Sequence, residues 1–349
     1  MHDAQTIQQR VQEAAARKQP LRIRGSGSKD FYGGSLAGEV LATSEYRGVV
    51  DYDPGELVLT VRSGTPLREV EALLAQSGQM LAFEPPQFGG EGTIGGCVAC
   101  GLSGPRRATS GSVRDFVLGV RIIDGRGQDL RFGGRVIKNV AGYDVSRLMV
   151  GALGTLGVLL DVSMKVLPRP VCERTLRFEM NEARAIEQMN RWAGQPLAIS
   201  ATCFHEGVLT VRLSGVEAGV RTACEQLGGE PVADGESFWR SVRDQTLEFF
   251  SAPTLWRVSV PSTSPPLETG VPQLIEWGGA LRWLAGDVNA EELRARVAAL
   301  GGHATLFRAD RKTVPVFHPL PPSLERIHRD LKKAFDPSGI LNPGRFHEL

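Results

Sequence analysis

The residues best placed to do chemistry on this chain are short glycine and hydroxyl runs that can cradle an anion. Gly25-Ser26-Gly27-Ser28-Lys29 follows the strand-like Leu21-Arg22-Ile23-Arg24. Successive backbone N–H groups in such a turn converge on a pyrophosphate, the two serine hydroxyls add donors and Lys29 adds charge. The run matches neither a Rossmann fingerprint, which needs a third glycine where Asp30 stands, nor a P-loop, so a plain turn is the rival reading. A longer stretch, Thr93 to Asp115, carries glycines at 95, 96, 101, 104 and 111 with small residues between them. Backbone so stripped of side chains can approach something flat, large and anionic. Ile94, Val98 and Leu102, four residues apart, predict a short packed turn of helix within it. A third run, Gly151 to Gly157, opens a long apolar strand; its glycines serve either ligand contact or close helix–strand packing.

Groups able to move protons or electrons are few. His318, between Phe317 and Pro319, can accept or return a proton, or it can pack as a structural histidine. His205, in an expected hairpin turn, and His303, after a Gly-Gly helix stop, carry no functional signal. Cys97 and Cys100 have CxxC spacing, but no second pair follows to complete a zinc or iron–sulfur site, and they read as small residues in tight positions. Five cysteines in 349 residues argue against a disulfide framework.

Composition narrows the class. A net charge of +1 gives no basic field for nucleic acid. No segment approaches the roughly 20 consecutive apolar residues of a membrane span, and the first residues lack a signal peptide's features, so a cytoplasmic protein is expected.

Around these runs the pattern predicts a helix over 4–18, strands at 21–24, 39–43, 48–52 and 57–61, and a helix capped by Thr65 with Pro66 at its first position. Glu84-Pro85-Pro86 delivers a stiffened chain to the glycine-rich stretch. A hairpin over 117–132 and a short helix ending near Met149 precede the strand that runs to Pro168. Pro168 and Pro170 mark a boundary, beyond which strand 174–180, helix 182–193, strands 197–204 and 207–213 and helix 216–227 give a βαββα order; a second series resembles it in rhythm, read as strand 255–260, helix 267–277, strand 281–285, helix 290–300 and strand 304–307. A last helix covers about 322–335.

Taken as an ordered set, these motifs resemble the vanillyl-alcohol-oxidase family of flavoproteins, with its PCMH-type FAD-binding fold. The pieces are Arg24-Gly25-Ser26-Gly27-Ser28, Thr93-Ile94-Gly95-Gly96, Ser103-Gly104 through Gly111 to Arg114-Asp115, Gly154-Thr155-Leu156-Gly157, and Phe335-Asp336-Pro337 to Asn342-Pro343-Gly344. Within the family the pattern is most similar to FAD-binding small subunits of bacterial glycolate oxidases, through Arg22 to Gly33, Gly101 to Arg107 and Phe317-His318-Pro319-Leu320. The resemblance implies an α+β protein: a FAD-binding domain of two α/β subdomains over 1–168, an α+β cap with an antiparallel sheet over 171–310, and a segment, 311–349, returning to the first domain. It implies non-covalent FAD, since Ser28-Lys29-Asp30 offers no histidine for attachment. It places the pyrophosphate on the 25–29 loop, with Arg24 before it, the flavin and ribityl chain along 93–115 behind Pro86, and the adenosine or ring edge at Gly154, Thr155, Gly157 and Val158. Arg114, Lys138 and Asn342 are further cofactor-binding candidates.

The metal-binding His-x-Gly-Asp-Gly-Asn-x-His motif of larger relatives is degraded here to Ala285-Gly286-Asp287-Val288-Asn289-Ala290-Glu291, so no metal and no principal hydroxy-acid site is expected, and His318 stays the sole catalytic candidate. The resemblance implies a FAD-binding subunit of a multisubunit glycolate (2-hydroxy acid) oxidase, working with a larger FAD-binding catalytic subunit and an iron–sulfur subunit and meeting the inner membrane only through that complex. The alternatives are a stand-alone FAD-linked oxidase of another hydroxy acid or alcohol, and an assembly subunit that keeps the fold without its own catalysis.

Overall fold

The computed structural model describes residues 3–134 and 143–347. Lys138, a cofactor-binding candidate, lies outside the described residues. The chain divides into two compact units: one holds the segments up to Leu102, Ser112–Pro168 and the chain from Pro319 on; the other holds Ser103–Gly111 and Arg169–His318.

The first unit opens with the helix Ala4–Arg17, whose N-cap Asp3 accepts the Thr6 N–H and whose Ile7, Val11 and Ala14 are buried on one face. It leads into Leu21–Arg24, which pairs in parallel with Glu39–Ala42. Leu21 is also bridged in parallel to Leu341, so the C-terminal return lies against the strand that precedes the first glycine loop. The larger part of this unit is a five-stranded antiparallel sheet, in the order 49–53, 58–62, 158–165, 117–123, 129–133. Leu59, Val61, Ile122 and Val162 on that sheet, with Leu67, Val70 and Leu74 from the helix Leu67–Gln76 and Ile94 and Val98 from Ile94–Cys100, share one core. Pro66, not Thr65, is the N-cap of Leu67–Gln76 and makes no side-chain cap bond. The Thr65 hydroxyl is used elsewhere: it donates to the Arg62 carbonyl at 2.7 Å and accepts the Gly48 N–H at 2.9 Å, tying the strand end to the loop before it.

The second unit is an eight-stranded antiparallel sheet with helices. The expected helix over 267–277 is absent. Gln273–Glu276 is a strand there, paired with 203–205 on one side and 281–284 on the other, and a 3-10 turn follows at Trp277–Gly279. Gly270 and Pro272 break any helical run, and two neighbouring strands satisfy the backbone that a helix would have satisfied internally. A helix that the periodicity did not reveal, Gly235–Asp244, starts at Asp234, which caps Ser237, and buries Trp239 and Val242. Trp239, Phe249, Phe250 and Trp256 are all buried in this unit.

Candidate functional site

A cleft within the first unit gathers three separated runs of the sequence. Arg24 to Asp30 form one wall, Thr93, Gly95, Gly96, Ala99 and Cys100 a second, and Leu153, Gly154, Gly157 and Leu159 a third, with Asn342 and Arg345 at the C-terminal side. Thr93 is the N-cap of the helix Ile94–Cys100, its hydroxyl accepting the Gly96 N–H at 3.2 Å. Two glycines let the walls meet: a Cβ on Gly25 would stand 2.6 Å from Thr93 Oγ1, and one on Gly95 would stand 2.7 Å from Ser63 Cβ.

Among the described residues no acceptor takes the backbone N–H of Ser26, Gly27 or Lys29, and the Ser28 N–H reaches only Ser26 Oγ at 3.5 Å. Lys29 is 7% exposed and, among the described residues, faces no carboxylate in an ion pair; its ammonium touches Ser28 Oγ at 3.4 Å and lies 5.5 Å from the Phe88 ring centroid. Ser63 Oγ, also lining the cleft, is buried with no hydrogen-bond partner among the described residues. Asp30 is spent on Arg22 and Arg24, at 2.5 and 2.9 Å, and leaves Lys29 to whatever enters.

The loop is held from the far end of the chain. Arg345, 7% exposed, donates to the carbonyls of Lys29, Asp30 and Gly34 at 2.9, 3.1 and 2.9 Å. Burial lowers its pKa from the usual guanidinium range. Asn342 accepts the Ile23 N–H at 2.7 Å and donates to the Leu153 carbonyl at 2.6 Å, linking two of the walls. With the Lys29 and Asp30 carbonyls turned to Arg345, the loop can present N–H groups to the cleft.

The remaining candidates are dispersed. Ile94 and Val158 belong to the core, Pro86 is buried, and Gly101 ends its helix in the left-handed region against Gly151. Asp115 closes a capping box with Ser112. Thr155 and Arg114 line a different cleft of the same unit. Ser103, Gly104 and Gly111 fall in the second unit, where the Gly104 carbonyl accepts Trp277 Nε1–H at 3.0 Å. His318 is in the second unit too, its Nδ1 accepting the Ala304 N–H at 3.3 Å. Burial, then Arg294, keeps this imidazole below its usual pKa. A lone pair so occupied is not open to a substrate proton. Asp287 accepts from Thr254, and Asn289 caps the helix Ala290–Ala299. Among the described residues no three His, Cys, Asp or Glu side chains stand together to hold a metal.

Residue-by-residue reasoning missed Thr43, Ser63 and Arg345. Arg345 had a signal, standing directly after Asn342-Pro343-Gly344; Ser63 had none.

Cys97 and Cys100 stand one helical turn apart, and burial, outweighing nearby Lys29, raises both thiols, Cys97 to about 12. At pH 8 roughly one Cys97 in ten thousand is a thiolate. Iodoacetamide should therefore leave Cys97 unmodified in native protein and modify it in denaturant, as peptide mass spectrometry would show; rapid native labelling would contradict this burial.

This fold and cleft define a FAD-binding oxidoreductase of the PCMH type. Residues 1–133 match the family described as FAD binding domain. Solved structures of p-cresol methylhydroxylase and alkyldihydroxyacetonephosphate synthase share the fold: TM-scores are 0.73 and 0.71 at 15% identity, over 99% and 98% of this chain and 87% and 76% of theirs. The glycolate oxidase subunit GlcE of Escherichia coli (strain K12) is 51% identical over 345 residues, 99% of this chain and 97% of that protein. The chain belongs to the family of this subunit. Glycolate oxidase subunit GlcD of Bacillus subtilis (strain 168) is 33% identical over 162 residues, covering 45% of this chain and 34% of that protein. The residues present fit FAD: a buried lysine with no carboxylate partner among the described residues and three N–H groups unclaimed there suit a pyrophosphate, and Ser63 Oγ has a hydrogen bond still to make.

Proposed function

We propose that this chain is the FAD-binding subunit of a multisubunit glycolate (2-hydroxy acid) oxidase, acting with a larger FAD-binding catalytic subunit and an iron–sulfur subunit. The observation that carries the reading is the buried Lys29 beside the free N–H groups of its loop, in a chain 51% identical to a glycolate oxidase subunit. Bound there non-covalently, FAD supplies hydride acceptance from an alcohol carbon and stepwise release of electrons to a one-electron acceptor. The loop 25–29 binds the pyrophosphate, Lys29 neutralises it, Arg345 and Asn342 hold the loop in place, and the Thr93–Cys100 wall excludes water from one side. In this reading the first unit is the flavin domain and the second the cap.

Five cysteines without cluster spacing leave the iron–sulfur centre to a partner. Among the described residues no helix is long and apolar enough to cross a membrane, so in this reading any membrane contact is made by the partners.

The test is the visible spectrum of the chain purified alone, acid release of its flavin, then glycolate and D-lactate added without oxygen. A yellow protein that releases FAD and stays oxidised supports the subunit reading. Bleaching by either acid moves catalysis onto this chain, and protein that stays colourless after FAD is added sinks the assignment of the cleft.

A further inference from the structure

A second cleft, of about 750 Å³, lies in the first unit beyond the turn that walls the flavin cleft. Asn342 lines both, so the two clefts adjoin at that residue. Leu148, Val150, Leu156 and Leu331 supply apolar surface, and His328 and Phe346 lie stacked at 5.6 Å with 24° between their planes. That volume is within the range of small-molecule sites, about 300–1,000 Å³, and apolar walls with a few convergent polar groups are their usual make-up.

The charges lining it have one sign. Arg114, Arg147 and Lys332 face the cleft, and among the described residues no Asp or Glu lines it. Lys332 is already committed to Asp336 and to the Thr155 and Leu341 carbonyls, at 2.6, 2.8 and 2.8 Å. Arg147 meets Asp144 through Nε at 3.2 Å, an ion pair between partly exposed side chains that offsets one charge. Arg114 is exposed. His347, a further lining residue, is held below the usual imidazole pKa by burial and then by His328, and so adds no charge near neutrality.

We propose that this cleft binds an amphipathic organic anion, with a flat apolar body and a single carboxylate, sulfonate or phosphate, beside the flavin rather than in its place. The apolar body lies between the Leu148–Leu156 wall and the His328–Phe346 stack, and the acid group meets Arg147 and Arg114. Because Asn342 borders both clefts, the flavin serves as a reporter of what enters.

The experiment uses FAD-loaded protein and two fluorescent probes of similar shape, 1-anilinonaphthalene-8-sulfonate and neutral N-phenyl-1-naphthylamine. Expected is saturable, one-to-one binding of both, the sulfonate tighter by about five-fold or more, with a shift in the flavin absorbance band. Arg147→Ala should remove the preference for the anion and leave the neutral probe bound; Phe346→Ala should weaken both. Equal affinity of the unaltered protein for the two probes overturns the proposal without recourse to any variant. So does sulfonate binding that occurs only in FAD-free protein and is displaced by FAD, which would make the cleft part of the flavin site. Protein that takes up no FAD refutes the flavin assignment instead, a separate result read from its spectrum before any probe is added.

Discussion

Lys29→Met is expected to weaken FAD binding by roughly 10- to 150-fold while raising the stability of the flavin-free protein. The two effects have one cause. A lysine residue 7% exposed, with no carboxylate paired to it among the described residues, gives up hydration on folding without gaining a counter-charge. Its hydroxyl contact with Ser28 and its place near the Phe88 ring offset part of that loss. A pyrophosphate would complete the site, and a hydrogen bond to a charged group contributes about 1.5–3 kcal/mol, the source of the expected fold-change. Methionine keeps most of the stem and removes the desolvated charge, so the apo protein should gain about 1–3 kcal/mol, read as a higher Tm. Fluorescence titration with FAD and thermal unfolding without it check both signs. If affinity and apo stability fall together, Lys29 is a packing residue and the cleft holds its anion by other means.

Arg345→Ala should act on the same cofactor from 316 residues away and carry the opposite sign for the apo protein. Its guanidinium joins the carbonyls of Lys29, Asp30 and Gly34, and its own backbone carbonyl accepts the Gly34 N–H at 2.8 Å. The Lys29 carbonyl keeps the Tyr32 N–H as a partner, but the cluster as a whole loses its buried cation. Unsatisfied buried groups cost about 1–3 kcal/mol each, so a loss of about 3 kcal/mol in stability is expected. A loop released from that clamp no longer holds its N–H groups converged, and FAD should bind about 100-fold more weakly or more. Arg345→Lys, which restores charge but not the three-way fork, should recover only part of the affinity. Affinity within about three-fold of the unaltered protein in Arg345→Ala would show that the loop is self-supporting.

Much of this was legible in sequence because its causes are local. Ile7, Val11 and Ala14 mark the face of the first helix, and the glycines at 25, 27, 95 and 96 announce backbone that must come close to something. Family resemblance added the order of the motifs and hence the cofactor. The helix expected over 267–277 failed for a non-local reason: Leu274 and Ile275 are apolar enough for either state, and the strands 203–205 and 281–284 on both sides decided for strand.

By itself, the sequence determined which backbone segments can cradle an anion, since a missing Cβ and a hydroxyl are properties of single residues. Only the tertiary structure decided which of them share one cleft. The 25–29 loop, the Thr93–Cys100 helix and the Leu153–Leu159 segment meet there, whereas Ser103, Gly104 and Gly111 belong to the other unit. The charge state of that cleft is likewise tertiary: Lys29 is an ordinary lysine in the sequence, and it becomes a demand for an anion because folding buries it, while Asp30 beside it is drawn off by Arg22 and Arg24.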